Sequence, residues 1–195
     1  MVLLHSWFGL TDHFRGLCTR LAEASFSAVA PDLYGGPQTD DPARAKELRK
    51  ALRDDEVLER ISAAVDQAQL LAGDKPVGLV GFSVGGEFAI RTGAARGKDI
   101  AAVTTFYGLY VPEDLAGLEA PVQAHLAGDD EFVEPDEAGE FVERSMTLGK
   151  SLELYTYPGT RHAFSNATRP ESYDAVAADL AWRRTREFLT RHLVG

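Results

Sequence analysis

Val77-Gly78-Leu79-Val80-Gly81-Phe82-Ser83-Val84-Gly85-Gly86 joins two patterns within one short stretch. The first half is apolar and β-branched and follows Asp74-Lys75-Pro76. That composition predicts a short strand buried on both faces. The second half reads Gly81-x-Ser83-x-Gly85, and Phe88, Ala89, Ile90 and Ala94 then recur at helical spacing. Strand, tight turn and helix form the context in which such a serine stands in a strained turn, its hydroxyl pointing out of the sheet. Glycines flank it because a Cβ there would collide with neighbouring backbone. The other reading, a glycine-rich phosphate cradle, lacks support. The spacing is not G-x-G-x-x-G, and G-x-x-x-x-G-K-[ST] does not occur.

Outward from this stretch, strand and helix patterns alternate. Residues 2–5 read as a first strand and residues 6–10 as a loop. A helix capped by Thr11 or Asp12 runs to about Ser25, with Phe14, Leu17 and Leu21 inward. Residues 26–30 read as a second strand, stopped by Pro31-Asp32. Asp41-Pro42 starts a further helix. A second helical phase follows Asp54, with Leu58, Ile61, Val65, Ala68 and Leu71 on one face.

The serine strand is third, Ile100–Phe106 fourth and residues 121–127 fifth. A helix from Pro135 to about Leu148 follows. Residues 152–157 make the sixth strand, with Pro158-Gly159 as its stop, and the last helix starts at Glu171 or Ser172. This alternation predicts one α/β domain over residues 1–195, in three layers. Right-handed crossovers imply a mostly parallel sheet of about six strands, order 2-1-3-4-5-6. The order reverses beside the serine strand, and ligands bind at such a switch point.

The chain of 195 residues is 45% hydrophobic and 26% charged, an ordinary soluble balance. A net charge of -10 argues against nucleic acid and anionic membrane as partners. Cys18 is the single cysteine, so no disulfide forms within the chain, which fits a reducing compartment. The start has no positive n-region, and no stretch reaches membrane-spanning length. A cytoplasmic location is the resulting expectation.

A serine nucleophile needs a base and a carboxylate to orient that base. The loop after the fifth strand offers Asp129 and Asp130, and the loop after the sixth offers His162. Position alone does not separate the two aspartates. The order Ser, Asp, His is that of α/β-hydrolases. Among the 5 histidines, His5 is the one rival base, because it ends the first strand beside the presumed site. The backbone N–H groups of Val84 and Trp7 are the expected oxyanion hole. Trp7, Phe8, Tyr34 and Phe164 are candidates for an apolar pocket. No metal or cofactor is called for.

With these residues placed, the chain resembles the dienelactone hydrolase family of α/β-hydrolases. The resemblance rests on His5-Ser6-Trp7-Phe8-Gly9, Ala30-Pro31-Asp32-Leu33-Tyr34, the serine turn, Gly128-Asp129-Asp130-Glu131-Phe132-Val133 and Gly159-Thr160-Arg161-His162-Ala163-Phe164. It implies Asp130 as the acidic member, since an aromatic and a valine follow it at the family spacing. Where well-known members have a cysteine nucleophile, this chain has Ser83. Where they have a glutamate before the oxyanion residue, it has Ser6. The two changes fit together: a serine is not held as a stable anion near neutral pH, so it relies on a general base.

An arginine that binds the substrate carboxylate in the family stands at the position of Asn166 here. A second such arginine has no certain counterpart, although Arg44 is nearby. The resemblance also implies further strands ahead of residue 2, which this sequence lacks as either a compact variant or an incomplete start; an edge exposed there would favour a homodimer. The function expected is hydrolysis of small carboxylic esters or lactones through Ser83, His162 and Asp130, with Tyr34, Phe164 and Asn166 toward substrate. Left open are a non-catalytic binding protein on the same scaffold and an acyltransferase- or peptidase-like member.

Overall fold

The computed structural model describes residues 1–133 and 135–194. Five strands form one sheet in the order β1-β2-β3-β4-β5. They are β1 (Val2–Leu4), β2 (Val77–Phe82), β3 (Ile100–Phe106), β4 (Val122–Asp129) and β5 (Leu152–Arg161). Every neighbouring pair is parallel. The helices are α1 (Asp12–Glu23), α2 (Pro42–Ala51), α3 (Asp54–Leu71), α4 (Val84–Arg96), α5 (Pro135–Thr147) and α6 (Ala175–Leu193).

Side chains alternate across the sheet and sort the helices into two layers. Leu3, Val80, Phe82, Ala102 and Phe106 face α1 and α6, meeting Phe14, Leu21, Trp182 and Phe188. Val2, Leu4, Leu79 and Val103 face the other way, onto Val57 and Ile61 of α3, Phe88 of α4 and Phe141 of α5. Burial on both faces explains why β2 reads as an unbroken apolar run.

Two strand expectations are corrected. Residues 26–30 do not form a strand; they contribute one parallel bridge, Val29 to Val2. Val29 N–H donates to Met1 O and Leu3 N–H to Val29 O, both at 2.9 Å. The segment has only three residues of β1 to pair with, and Pro31 carries no N–H to continue the ladder. Its place outside β1 leaves the expected neighbour order unchanged. Conversely, β5 does not stop at Pro158 but continues to Arg161. A proline is tolerated because β5 is an edge strand. The partner strand adjusts with a register shift between Ala127 and Asp129.

The start of α2 falls where the sequence placed it, and that of α6 is shifted. The Asp41 carboxylate accepts from Ala43 N–H at the start of α2, and Asp174 accepts from Ala177 N–H at the start of α6. α6 therefore begins later than Glu171. Leu71, placed on the apolar face of its helix, is 65% exposed. It is the last residue of α3.

Candidate active site

The carboxyl ends of the strands deliver Ser83 after β2, Tyr107 after β3, Asp130 after β4 and His162 after β5. Ser83 has φ 54° and ψ -121°, a conformation costing a non-glycine residue about 1–3 kcal/mol. Surrounding contacts hold it there. Ser83 N–H donates to Phe106 O at 2.9 Å, and Ser83 O accepts from Gly86 N–H at 2.7 Å. A Cβ on Gly81 would lie 2.2 Å from Gly85 O, and one on Gly85 would lie 2.4 Å from Leu4 O. The glycines let α4 start directly against β1 and fold back over β2.

Three side chains form one hydrogen-bonded chain. Ser83 Oγ lies 2.8 Å from His162 Nε2. His162 Nδ1 lies 2.9 and 3.0 Å from the two oxygens of Asp130. Nδ1–H therefore donates to the carboxylate, which leaves Nε2 to accept from the serine hydroxyl. Asp130 Oδ1 also accepts from Phe132 N–H at 2.9 Å and Val133 N–H at 3.2 Å. The Asp130 and His162 side chains are only 5% and 10% exposed, so their contact is shielded from water.

The strand ladder explains which aspartate takes this place. Asp129 pairs with Arg161 across β4 and β5. The next residue on each strand is Asp130 and His162, which turn toward each other while Asp129 stays exposed. Aromatic rings flank the imidazole. Phe132 lies 4.7 Å from it and Tyr107 lies 5.0 Å from it, both tilted by about 60°. Tyr107 has φ 39°, and its hydroxyl bonds Ser165 Oγ at 3.0 Å, linking the β3 and β5 loops.

Val84 is the first residue of α4, and the first N–H groups of a helix have no intrahelical acceptor. Of these, Val84 N–H directly follows Ser83, at the positive end of the helix dipole. Trp7 lies in a turn closed by Gly9 N–H donating to Ser6 O at 3.2 Å. Its ring meets those of Phe8 and Phe132, each at 5.5 Å.

His5 is removed as a rival. It is fully buried; its Nδ1–H donates to Ser6 O at 2.7 Å and its Nε2 accepts from Leu33 N–H at 2.9 Å. Both nitrogens are committed to holding two loops together. Asp32 sits 3.7 Å away. The neighbouring His5 ring, with Tyr34 N–H donating to Asp32 Oδ1 at 3.0 Å, holds its carboxyl down at about 2.

The expected substrate-facing residues fare differently. Tyr34 packs its ring 5.4 Å from His5, and its buried hydroxyl has no partner among the described residues. Phe164 is corrected to a core residue: it is fully buried against Tyr107 and Tyr157. The tight turn at Ala163, φ 65°, swings it inward. Asn166 is 4% exposed, and its Oδ1 accepts from Thr168 N–H and Oγ–H. It borders a cavity of about 450 Å3 shared with Phe8 and Arg169.

Sequence reading missed Tyr107, Phe132 and Gly108 as parts of the site. A Cβ on Gly108 would lie 2.1 Å from Ser83 O. Their signal was position: all follow strands that end at the same edge as Ser83. Among the described residues, no three or more His, Cys, Asp or Glu gather as a metal cluster. None of the described helices is long and apolar enough to cross a membrane.

A parallel sheet with helices on both faces, and a strained serine between β2 and the following helix, define the α/β-hydrolase class. Comparison with known proteins narrows this. The model of the dienelactone hydrolase family matches residues 1–193, and the chain belongs to that family of hydrolases. A protein of Aquifex pyrophilus named usf is 31% identical over 99% of this chain and 88% of its own length. A carboxymethylenebutenolidase of Rhodococcus opacus is 30% identical, over 99% and 81% respectively. A solved structure from Klebsiella pneumoniae, described as a candidate dienelactone hydrolase, superposes with TM-score 0.87 at 26% identity, covering 97% of this chain and 85% of that one.

Proposed function

We propose that the protein hydrolyses small carboxylic esters or lactones, with Ser83 as nucleophile, His162 as general base and acid, and Asp130 as the group that orients His162. The hydrogen-bonded run from Ser83 Oγ through His162 to Asp130, at 2.8 and 2.9 Å, carries this reading. Ser83 Oγ attacks the substrate carbonyl while His162 Nε2 takes its proton. The resulting oxyanion turns toward the N–H groups of Val84 and Trp7. Collapse expels the alcohol, which receives the proton from His162. Water, deprotonated by the same nitrogen, then attacks the acyl-serine and releases the acid.

Asp130 favours this cycle because the imidazolium formed after attack lies beside a carboxylate sheltered from water. Its bonds from Phe132 and Val133 N–H hold the carboxylate in place. The relatives named as carboxymethylenebutenolidases support lactones within the substrate range. The test is mass spectrometry after treatment with a fluorophosphonate. One adduct on the peptide carrying Ser83, absent from Ser83→Ala, is expected. An unmodified wild-type chain would sink the proposal and favour a binding role on the same scaffold.

A further inference from the structure

Trp7 and Phe132 come from loops that the sheet keeps apart. Trp7 follows β1 and Phe132 follows β4. With β2 and β3 between them, strand spacing puts those ends about 14 Å apart. Their rings nevertheless meet at 5.5 Å. The two loops must therefore lean toward each other across the ends of β2 and β3, where Ser83 and Tyr107 stand. Phe132 is 54% exposed and also touches His162 at 4.7 Å. The pair forms an aromatic arch beside His162, with Phe132 still open to solvent.

The charges around the arch are internally matched. Arg161, beside His162, lies 3.8 Å from Glu131. Arg169 stacks 3.6 Å over Phe8 and donates to Asp40 O. On α2 and α4, Arg49 and Arg91 both pair with Asp54 and Glu87. A chain of net charge -10 adds repulsion toward an approaching anion.

From this geometry we infer that the arch of Trp7 and Phe132 sets specificity and selects esters whose acyl group is uncharged and apolar. The inference rests on the hydrolytic reading of Ser83. An aromatic surface gains from covering apolar substrate, whereas a substrate carboxylate would lose its hydration beside arginines that are already paired.

The experiment compares methyl 4-nitrophenyl adipate with 4-nitrophenyl hydrogen adipate. The two release the same nitrophenolate and differ in one distal charge. Rates with Ser83→Ala are subtracted. The methyl-capped ester should be favoured in kcat/KM by at least about tenfold. Phe132→Ala should lower kcat/KM for the capped ester about tenfold, mainly through KM, and Phe132→Tyr should restore it. A loss confined to kcat would mean that Phe132 acts only by packing on His162, and would overturn the inference. Equal or better turnover of the acid ester would also overturn it, while wild-type activity above Ser83→Ala would leave the hydrolytic reading standing. If neither ester exceeds the Ser83→Ala rate, both readings fail together.

Discussion

Asp130 and His162 are neighbours because β4 and β5, after a register shift between Ala127 and Asp129, end on a shared pair. Asp129 stands opposite Arg161, and one residue further on each strand the carboxylate meets the imidazole at 2.9 Å. Asp130→Asn should therefore lower kcat by about 10^4-fold, by losing the charge and disturbing the tautomer. Asp129→Asn, one residue away and exposed, should stay within about twofold of wild type. Steady-state kinetics on any turned-over 4-nitrophenyl ester checks both.

Backbone proximity around Ser83 leaves no room for a methyl group. A Cβ on Gly108 would fall 2.1 Å from Ser83 O, whereas Gly16 in α1 has nothing within 4 Å. Gly108→Ala should cost about 3 kcal/mol or more, with loss of fluorophosphonate labelling. Gly16→Ala should stabilise by about 0.5–1 kcal/mol. Urea unfolding of the two variants measures the contrast.

Tyr107 bonds Ser165 at 3.0 Å and lies against His162. Burial pushes its phenol well above the usual tyrosine range, so it acts here as a neutral hydrogen-bonding group. Tyr107→Phe keeps the ring and removes the link between the β3 and β5 loops. A fall in kcat of about 2–10-fold with KM unchanged is expected, matching one lost neutral hydrogen bond.

Acid should unfold the protein through His125. This buried ring bonds Tyr157, Gln123 and Thr185, and burial pushes it down from 6.5 to about 3. The folded state thus resists a proton that the unfolded chain accepts. The stability is fully present above pH 6.5 and is lost as pH falls from there toward 3. Urea midpoints should drop between pH 7 and pH 5. His125→Asn should be less stable at pH 7 yet change less between the two.

Much of this was legible in the sequence because it is local. The β2 run, the glycines around Ser83 and the cap at Asp41 each encode their own geometry. The order of Ser83, Asp130 and His162 followed from strand alternation, and the choice of Asp130 came from the family pattern. What failed depended on distant partners. Residues 26–30 had strand composition but met a β1 too short to pair with. Pro158 looked like a stop, yet an edge strand absorbs it. Phe164 looked like a pocket residue until the turn at Ala163 sent it into the core. Tyr107 carries no motif of its own, and Phe132 was read only as a spacing mark for Asp130; the closed fold brings their rings to His162.

The most direct measurement is kcat/KM for hydrolysis of a short 4-nitrophenyl ester by wild type and by Ser83→Ala, assayed side by side at equal folded concentration. A drop of about 10^4-fold or more in the variant is expected. Equal rates in the two proteins would contradict the assignment of Ser83, and with it the roles given to His162 and Asp130.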